Sequence, residues 1–248
     1  MGRRYGQHFL KRDSTLRRIA EAACANPHIP VVEIGPGRGA LTAYLLERAR
    51  RVIAIEIDPE LVRHLSQRFS DCSHLELLQA DVLAVDLKQW GRVAVAGNLP
   101  YYITSPILEQ TLALGDQLEK AVFLVQREVA ERLTASPGSR DYGFLTVRTQ
   151  LLADVRILEH VPASAFSPPP KVDSAVIELQ PKPTAISEAA AVLRFLSACF
   201  QQKRKTLRNN LSKLYDRQQL EAVIDAKVRA EQMSLEELLR LHRILKAS

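Results

Sequence analysis

Three features of the sequence predict an α/β fold with an open, doubly wound, mostly parallel sheet of seven strands. Short apolar runs alternate with segments of helical period from residue 31 to residue 134. Several of those runs are nearly continuous in aliphatic residues, as strands covered on both faces must be. Four successive runs also lead into a glycine turn or a polar side chain, at Gly35, Glu56, Asp81 and Asn98. In open α/β sheets the carboxyl edge of the strands is where ligands bind.

Residues 1–12 carry no helical or strand period. Asp13 or Ser14 then caps a helix whose apolar face is Leu16, Ile19, Ala20 and Ala23. Residues 31–34 form the first strand and 41–48 a helix. The run 51–57 is the second strand, and Asp58-Pro59 opens the next helix with a cap and a first-turn proline. Residues 75–79, 93–96 and 121–125 supply three more strands. Ser105-Pro106 reads as a helix start, a helix is expected over 126–134, a loop at 136–139 and another helix over 143–152. Residues 155–158 and 174–179 read as a strand pair, joined by a loop too long and too rich in proline for a tight hairpin (Pro162, Pro168, Pro169, Pro170). Pro181-Lys182-Pro183 reads as a linker, and helical period dominates from 187 onward. Two domains are therefore expected, 1–181 and 182–248, the second small and all-helical.

With 46% hydrophobic and 25% charged residues, the chain has the balance of a soluble globular protein. No apolar run approaches a membrane span, and no targeting segment is recognisable. Three scattered cysteines with no Cys-x-x-Cys pair suggest neither a disulfide framework nor a zinc site, so a cytoplasmic protein without metal is expected. Charge is uneven. Residues 182–248 hold 13 lysines and arginines against 7 acids, and residues 1–18 hold 6 against 1, while the stretch between them is net acidic. Two basic ends on an acidic body point to a polyanionic partner.

The loop Asn98-Leu99-Pro100-Tyr101 carries the most specific chemistry. Asn98 offers an acceptor that cannot remove a proton. Pro100 stiffens the turn, and Tyr101 presents a flat face on which a base can stack. Such a loop suits an exocyclic amino group held against acceptors with an aromatic wall behind it. The glycines of Glu33-Ile34-Gly35-Pro36-Gly37-Arg38-Gly39 let backbone approach a ligand closely. Glu56 is placed to take a ribose diol with both carboxylate oxygens, and Asp81 to accept from an adenine amino group. NAD and S-adenosylmethionine fit that series almost equally. Gly-x-Gly-x-Gly departs from the dinucleotide fingerprint, and the Asn98 loop has no part in hydride transfer. Methyl transfer is therefore favoured over a dehydrogenase.

Taken together, the chain resembles the ribosomal RNA adenine N6-dimethyltransferases of the KsgA/RsmA type over nearly its whole length. The resemblance rests on Gly6-Gln7-His8-Phe9-Leu10, Glu33-Ile34-Gly35-Pro36-Gly37, Glu56-Ile57-Asp58, Asp81, Asn98-Leu99-Pro100-Tyr101, the run 125–130, the run 166–174 beginning Phe166-Ser167-Pro168, and Lys203-Arg204-Lys205-Thr206-Leu207-Arg208-Asn209-Asn210-Leu211. It implies a class I S-adenosylmethionine-dependent methyltransferase fold, acting on two adjacent adenosines near the 3′ end of 16S rRNA in a small ribosomal subunit or its precursor. It further implies that His8, Leu10, Gly35, Gly37, Glu56, Asp81 and Asn98 bind the cofactor, with His8 standing where many relatives have Asn. Asn98 would line the transfer site, Tyr101 would stack on one face of the target adenine, and Phe166 on the other. Lys203, Arg204, Lys205 and Arg208 are expected to contact RNA backbone, and a monomer is expected. Two other readings stay open at this point: a large-subunit methyltransferase of the macrolide-resistance type, and a ribosome-assembly factor in which catalysis is secondary.

Overall fold

The structure, a computed structural model, describes residues 8–183 and 186–247. Gly6 and Gln7 of the amino-terminal motif, and the basic Arg3 and Arg4, lie outside them. Contacts divide the chain into two units. One runs to Ala130 and resumes over Val155–Pro181; the other comprises Glu131–Asp154 and the chain from Lys182 onward.

In the first unit the elements follow as β1 (Phe9–Leu10), α1 (Asp13–Ala23), β2 (Val31–Ile34), α2 (Ala40–Leu46), β3 (Val52–Glu56), α3 (Pro59–Arg68), β4 (Leu75–Gln79), β5 (Val93–Asn98), α4 (Thr104–Leu112) and β6 (Leu118–Gln126). After α5 (Arg127–Leu133), where the chain leaves this unit, come β7 (Ala153–Val161), β8 (Phe166–Ser167) and β9 (Ser174–Pro181). Seven strands form one sheet in the order β4-β3-β2-β5-β6-β9-β7, with β4 through β6 parallel and β9 antiparallel to β6. The order reverses between β2 and β5, because the chain leaves β2 toward β3 and β4 and returns to β2's other side. That is the switch point at which such sheets open a crevice.

Burial accounts for the strand composition. Every residue of β2 and β3 is buried, which is why, apart from Glu33 and Glu56, both consist of β-branched residues and alanine. Asp58 caps α3 as its sequence indicates, its Oδ1 accepting from Glu60 N–H at 2.9 Å with Pro59 behind it. Two other starts differ. Helix α1 begins at Asp13 itself, and Arg12 stands at the cap position without a side-chain capping bond. Helix α4 begins at Thr104, because a 3₁₀ turn over Tyr101–Ile103 runs straight into it; Thr104 Oγ1 donates back to the Pro100 carbonyl at 3.1 Å.

In the second unit α6 (Phe144–Leu152), α7 (Ile186–Cys199), α8 (Leu207–Leu211), α9 (Arg217–Val223) and α10 (Leu235–Ala247) surround a separate core. That core joins Tyr142 and Val147 to Phe195, Leu196, Leu207, Leu238 and Leu241. Residues 131–154 therefore group with the carboxyl-terminal helices, where a linear division at 181/182 had been expected. Their apolar face, carried by Tyr142, Phe144, Val147 and Leu151, packs on α7 and α10, and helical period alone does not say which core a helix joins.

Candidate active site

Parallel register gathers the four strand ends. Ile34 stands opposite Ile55 on one side and Gly97 on the other, and Glu56 stands opposite Gln79. Gly35, Glu56, Asp81 and Asn98 consequently line a single cavity of about 340 Å³. His8 and Leu10 of the amino-terminal arm and Tyr101 of the loop complete its wall. The arm is held by β1, which pairs with β8 (Phe9 opposite Ser167, Leu10 opposite Phe166).

The glycine turn and Glu56 build one another. Gly35 and Gly37 adopt left-handed φ values of 65° and 58°, which only glycine reaches without strain. The Gly37 N–H donates to Glu56 Oε2 at 3.0 Å, while Oε1 accepts from Ile57 N–H at 2.9 Å and Asp58 N–H at 3.0 Å. Two donors fill Oε1, so one lone pair on Oε2 remains for a ligand. The anticipated grip on a diol through both oxygens is thus reduced to one. Burial pushes the Glu56 carboxyl above the ordinary carboxylate range, against the pull of those N–H donors. Asp81 is exposed, caps the next turn through Oδ1 to Leu83 N–H at 3.0 Å, and keeps Oδ2. Beside it Ile57 and Leu83 are 43% and 40% exposed and both line the cavity, an apolar setting for a flat ring.

At the loop, Asn98 Nδ2 donates to the His8 backbone carbonyl at 2.9 Å. That bond orients the amide and leaves Oδ1 as a free acceptor. The Tyr101 hydroxyl pairs with Ser174 Oγ at 3.0 Å, and burial raises its pKa. The ring is therefore fixed and the phenol stays protonated. Phe166 is not brought to the cavity. It is 4% exposed and belongs to the core with Leu10, Leu16 and Val161, because its strand pairing turns the ring inward behind the arm. The imidazole of His8 instead faces Tyr101, with ring centroids 6.0 Å apart and planes 23° from parallel.

Glu33 is the site residue that sequence reading missed. It lies on β2, 1% exposed, lines the cavity, and its Oε2 has no hydrogen-bond partner. Burial pushes its pKa up to about 8, and the nearby Glu56 adds to the rise. An acid inside an otherwise apolar strand was the available signal. In the unfolded chain this carboxyl ionises near 4.5. Between about pH 4.5 and 8 the unfolded chain gives up the proton while the folded chain keeps it. Stability of the cofactor-free protein therefore falls through that window, by at most about 1.4 kcal/mol per pH unit. Glu33→Gln removes this slope, so thermal melts at pH 5.5 and 7.5 should show the variant gaining on the parent as pH rises. A pH-independent gap between the two would contradict this.

The four basic residues predicted to meet RNA fall into two sets. Lys203, Arg204 and Lys205 are exposed, Lys203 donating through Nζ to the Arg140 carbonyl at 2.8 Å. Arg208 is half-buried and caps the end of α9, Nε on the Ile224 carbonyl at 2.7 Å and an Nη on that of Glu221 at 3.3 Å. Within the same motif, Asn210 is buried and ties the Cys199 carbonyl at 2.7 Å. Part of this motif therefore builds the helical unit. Among the described residues, no group of three His, Cys, Asp or Glu side chains is placed to hold a metal ion, and no helix is long and apolar enough to cross a membrane.

Known proteins share this chain's sequence and fold. A family model described as ribosomal RNA adenine dimethylase matches residues 1–247. A ribosomal RNA small subunit methyltransferase A from Acidobacterium capsulatum is 45% identical, over 97% of this chain and 89% of its own. One from Synechococcus elongatus is 42% identical, over 96% of this chain and 93% of its own. Among solved structures, a dimethyladenosine transferase from Plasmodium falciparum superposes with a TM-score of 0.81 at 28% identity, covering 94% of this chain and 96% of that one. The 23S rRNA methyltransferase ErmE gives 0.77 at 32% identity, covering 96% and 99%.

Proposed function

The chain belongs to the ribosomal RNA adenine dimethylase family, and from this we infer that it transfers methyl groups from S-adenosylmethionine to N6 of adenosines in small-subunit ribosomal RNA. The targets are two adjacent adenosines near the 3′ end of 16S rRNA, in the small subunit or its precursor, and the enzyme works as a cytoplasmic monomer. The observation that carries the reading is one cavity shared by the Gly35, Glu56 and Asp81 strand ends and the Asn98–Tyr101 loop. Relatives at 42% and 45% identity bear the small-subunit name, while the large-subunit enzyme stands at 32%.

The residues present fit the cofactor. Gly35 leaves open space where a Cβ would stand, and Glu56 Oε2 retains a lone pair for a ribose hydroxyl. Asp81 Oδ2 is available to an adenine amino group between Ile57 and Leu83. Glu33 Oε2, which has no hydrogen-bond partner, suits a cationic neighbour. When bound, S-adenosylmethionine supplies an electrophilic methyl group.

The protein's own task is to make N6 of adenine a better nucleophile. That nitrogen's lone pair is delocalised into the ring. Asn98 Oδ1, aimed by the bond from Nδ2 to the His8 carbonyl, accepts a hydrogen bond from one N6–H, and the Leu99 carbonyl accepts one from the other. Holding both draws the nitrogen toward a tetrahedral shape, which is electrostatic preorganisation rather than base catalysis. Tyr101, pinned through Ser174, supports the purine face. Asn98 cannot take a proton, so the one displaced by methylation leaves to water. Phe166, 4% exposed, pairs through β8 with the arm that carries His8.

The test is to incubate the protein with labelled S-adenosylmethionine and unmethylated small subunits, large subunits or DNA, and to map the label. Dimethyladenosine confined to small-subunit RNA is expected. Label in large-subunit RNA would move the protein to the resistance-type activity. No label with cofactor bound would leave an assembly role.

Backbone contact by Lys203, Arg204 and Lys205 also has a salt signature. Three neutralised phosphates give a log–log slope near −2 to −3, about a sixteenfold to sixtyfold loss of RNA affinity between 50 and 200 mM salt. The triple alanine variant should flatten that slope. Arg208→Ala should lower the melting temperature instead, because its guanidinium caps α9.

A further inference from the structure

Gln110, on α4, has no part in the mechanism described so far, yet it gives both of its amide hydrogens to one turn of the cavity wall. Its Nε2 donates to the Val82 carbonyl at 2.8 Å and to the Val85 carbonyl at 2.7 Å. Its Oε1 is buried and has no hydrogen-bond partner. Turning the amide over would set that oxygen against two carbonyls, so the turn fixes its orientation. A buried acceptor left unsatisfied is a cost, and here it accompanies a grip on the backbone that follows Asp81. That backbone has little hold of its own. The β3–β4 ladder ends where the Ala80 N–H donates to the Glu56 carbonyl, and beyond it stands a single 3₁₀ turn over Val82–Ala84. Within the turn, the Ala84 N–H donates to the Asp81 carbonyl at 2.9 Å and the Val85 N–H to that of Val82 at 3.1 Å. Asp81, Val82 and Leu83 all line the cavity.

We propose that Gln110 is a positioning residue for recognition of the cofactor's adenine. By holding the Val82 and Val85 carbonyls it sets the turn that presents Asp81 Oδ2 and the Leu83 side chain to the ring. The inference rests on the cofactor assignment above and extends it to a residue that does not itself line the cavity. Asp81 Oδ1 is bonded to the Leu83 N–H, so a shift of the turn carries the carboxylate with it. Helix α4 also follows directly from the 3₁₀ turn that ends the Asn98–Tyr101 loop, so one helix leaves the acceptor loop and braces the adenine end.

The experiment titrates the parent, Gln110→Ala and Gln110→Met with two ligands, and records a thermal melt of each protein. The ligands are S-adenosylhomocysteine and its analogue with purine in place of adenine, which lacks the exocyclic amino group. The parent should prefer the adenine ligand by about tenfold or more, the scale of a hydrogen bond to a charged acceptor. Methionine keeps the length of the side chain and removes both the donors and the unsatisfied oxygen, so Gln110→Met should melt close to the parent. In both variants the preference should shrink to about threefold or less, through weaker binding of the adenine ligand. A residue that only stabilises the fold would lower the melting temperature and leave the preference intact. Full preference in either variant therefore overturns the proposal, and in Gln110→Met alone it would assign the effect to packing. A parent that binds both ligands equally would remove Asp81 from adenine recognition, and this inference with it. A parent that binds neither would overturn the methyltransferase reading itself.

Discussion

Asn98→Ala should lower the methyl-transfer rate by about tenfold to a thousandfold while changing cofactor affinity far less, the scale of losing one aligned acceptor in a transition state. The substitution removes Oδ1, and with it one of the two acceptors proposed to reshape N6. It also strips the His8 carbonyl of its 2.9 Å donor, so the arm loses its link to β5. Asn98→Asp separates the two roles. It keeps the shape and an acceptor oxygen but loses the donor, and it sets a carboxylate against the His8 carbonyl. It should also fall well below the parent, because the amide works as a donor–acceptor pair. Single-turnover methylation with a parallel cofactor titration measures both variants. Near-parental turnover in Asn98→Ala would remove this residue from the mechanism.

Gly97→Ala should be the most destabilising conservative change near the site, by about 2 kcal/mol or more, with a fall in melting temperature of about 4–8 °C. A Cβ at Gly97 would stand 2.5 Å from the Ile34 carbonyl oxygen. The obstacle is backbone, with no flexible side chain to step aside. Ile34 and Gly97 are register partners in the central parallel pair, and the residues after them, Gly35 and Asn98, line two sides of the cavity. Parting β2 from β5 to admit a methyl group would therefore disturb both sides together, and cofactor affinity should fall with stability. Gly143→Ala is the control. That glycine is extended, with open space at its Cβ position, and its variant should melt within about 1 °C of the parent. Matching shifts in the two variants would show that the close approach at Gly97 is not what resists alanine.

Much of this architecture was legible because parallel strands buried on both faces leave a distinctive pattern. Val31-Val32-Glu33-Ile34 and Val52-Ile53-Ala54-Ile55-Glu56 read as strands from composition alone. Their carboxyl ends read as ligand positions because a βα turn must return there. Phe166 and Arg208 make contacts that their motifs do not announce, for a shared reason. An aromatic beside a proline loop and an arginine on a basic helix each suit either a ligand or the protein's own core and caps, and only pairing partners distant in sequence distinguish the two. Glu33 stands out as an acid within an apolar strand, but which face of the sheet it lines, and that its Oε2 finds no partner there, depends on the fold.

What the sequence determined by itself was the order of strands and helices, the four strand-end residues and the chemistry of the Asn98 loop, since all of these follow from local periodicity and residue type. Tertiary structure alone decided that residues 131–154 join the carboxyl-terminal helices, that Glu56 gives most of its lone pairs to backbone, that Asn98 is aimed by the His8 carbonyl, and that His8 rather than Phe166 faces Tyr101. These are contacts between segments as much as about 90 residues or more apart, as for His8 with Asn98 and Tyr101. Which of several compatible partners a side chain meets is set by sheet register and core packing, and neither is written in any single stretch of the chain.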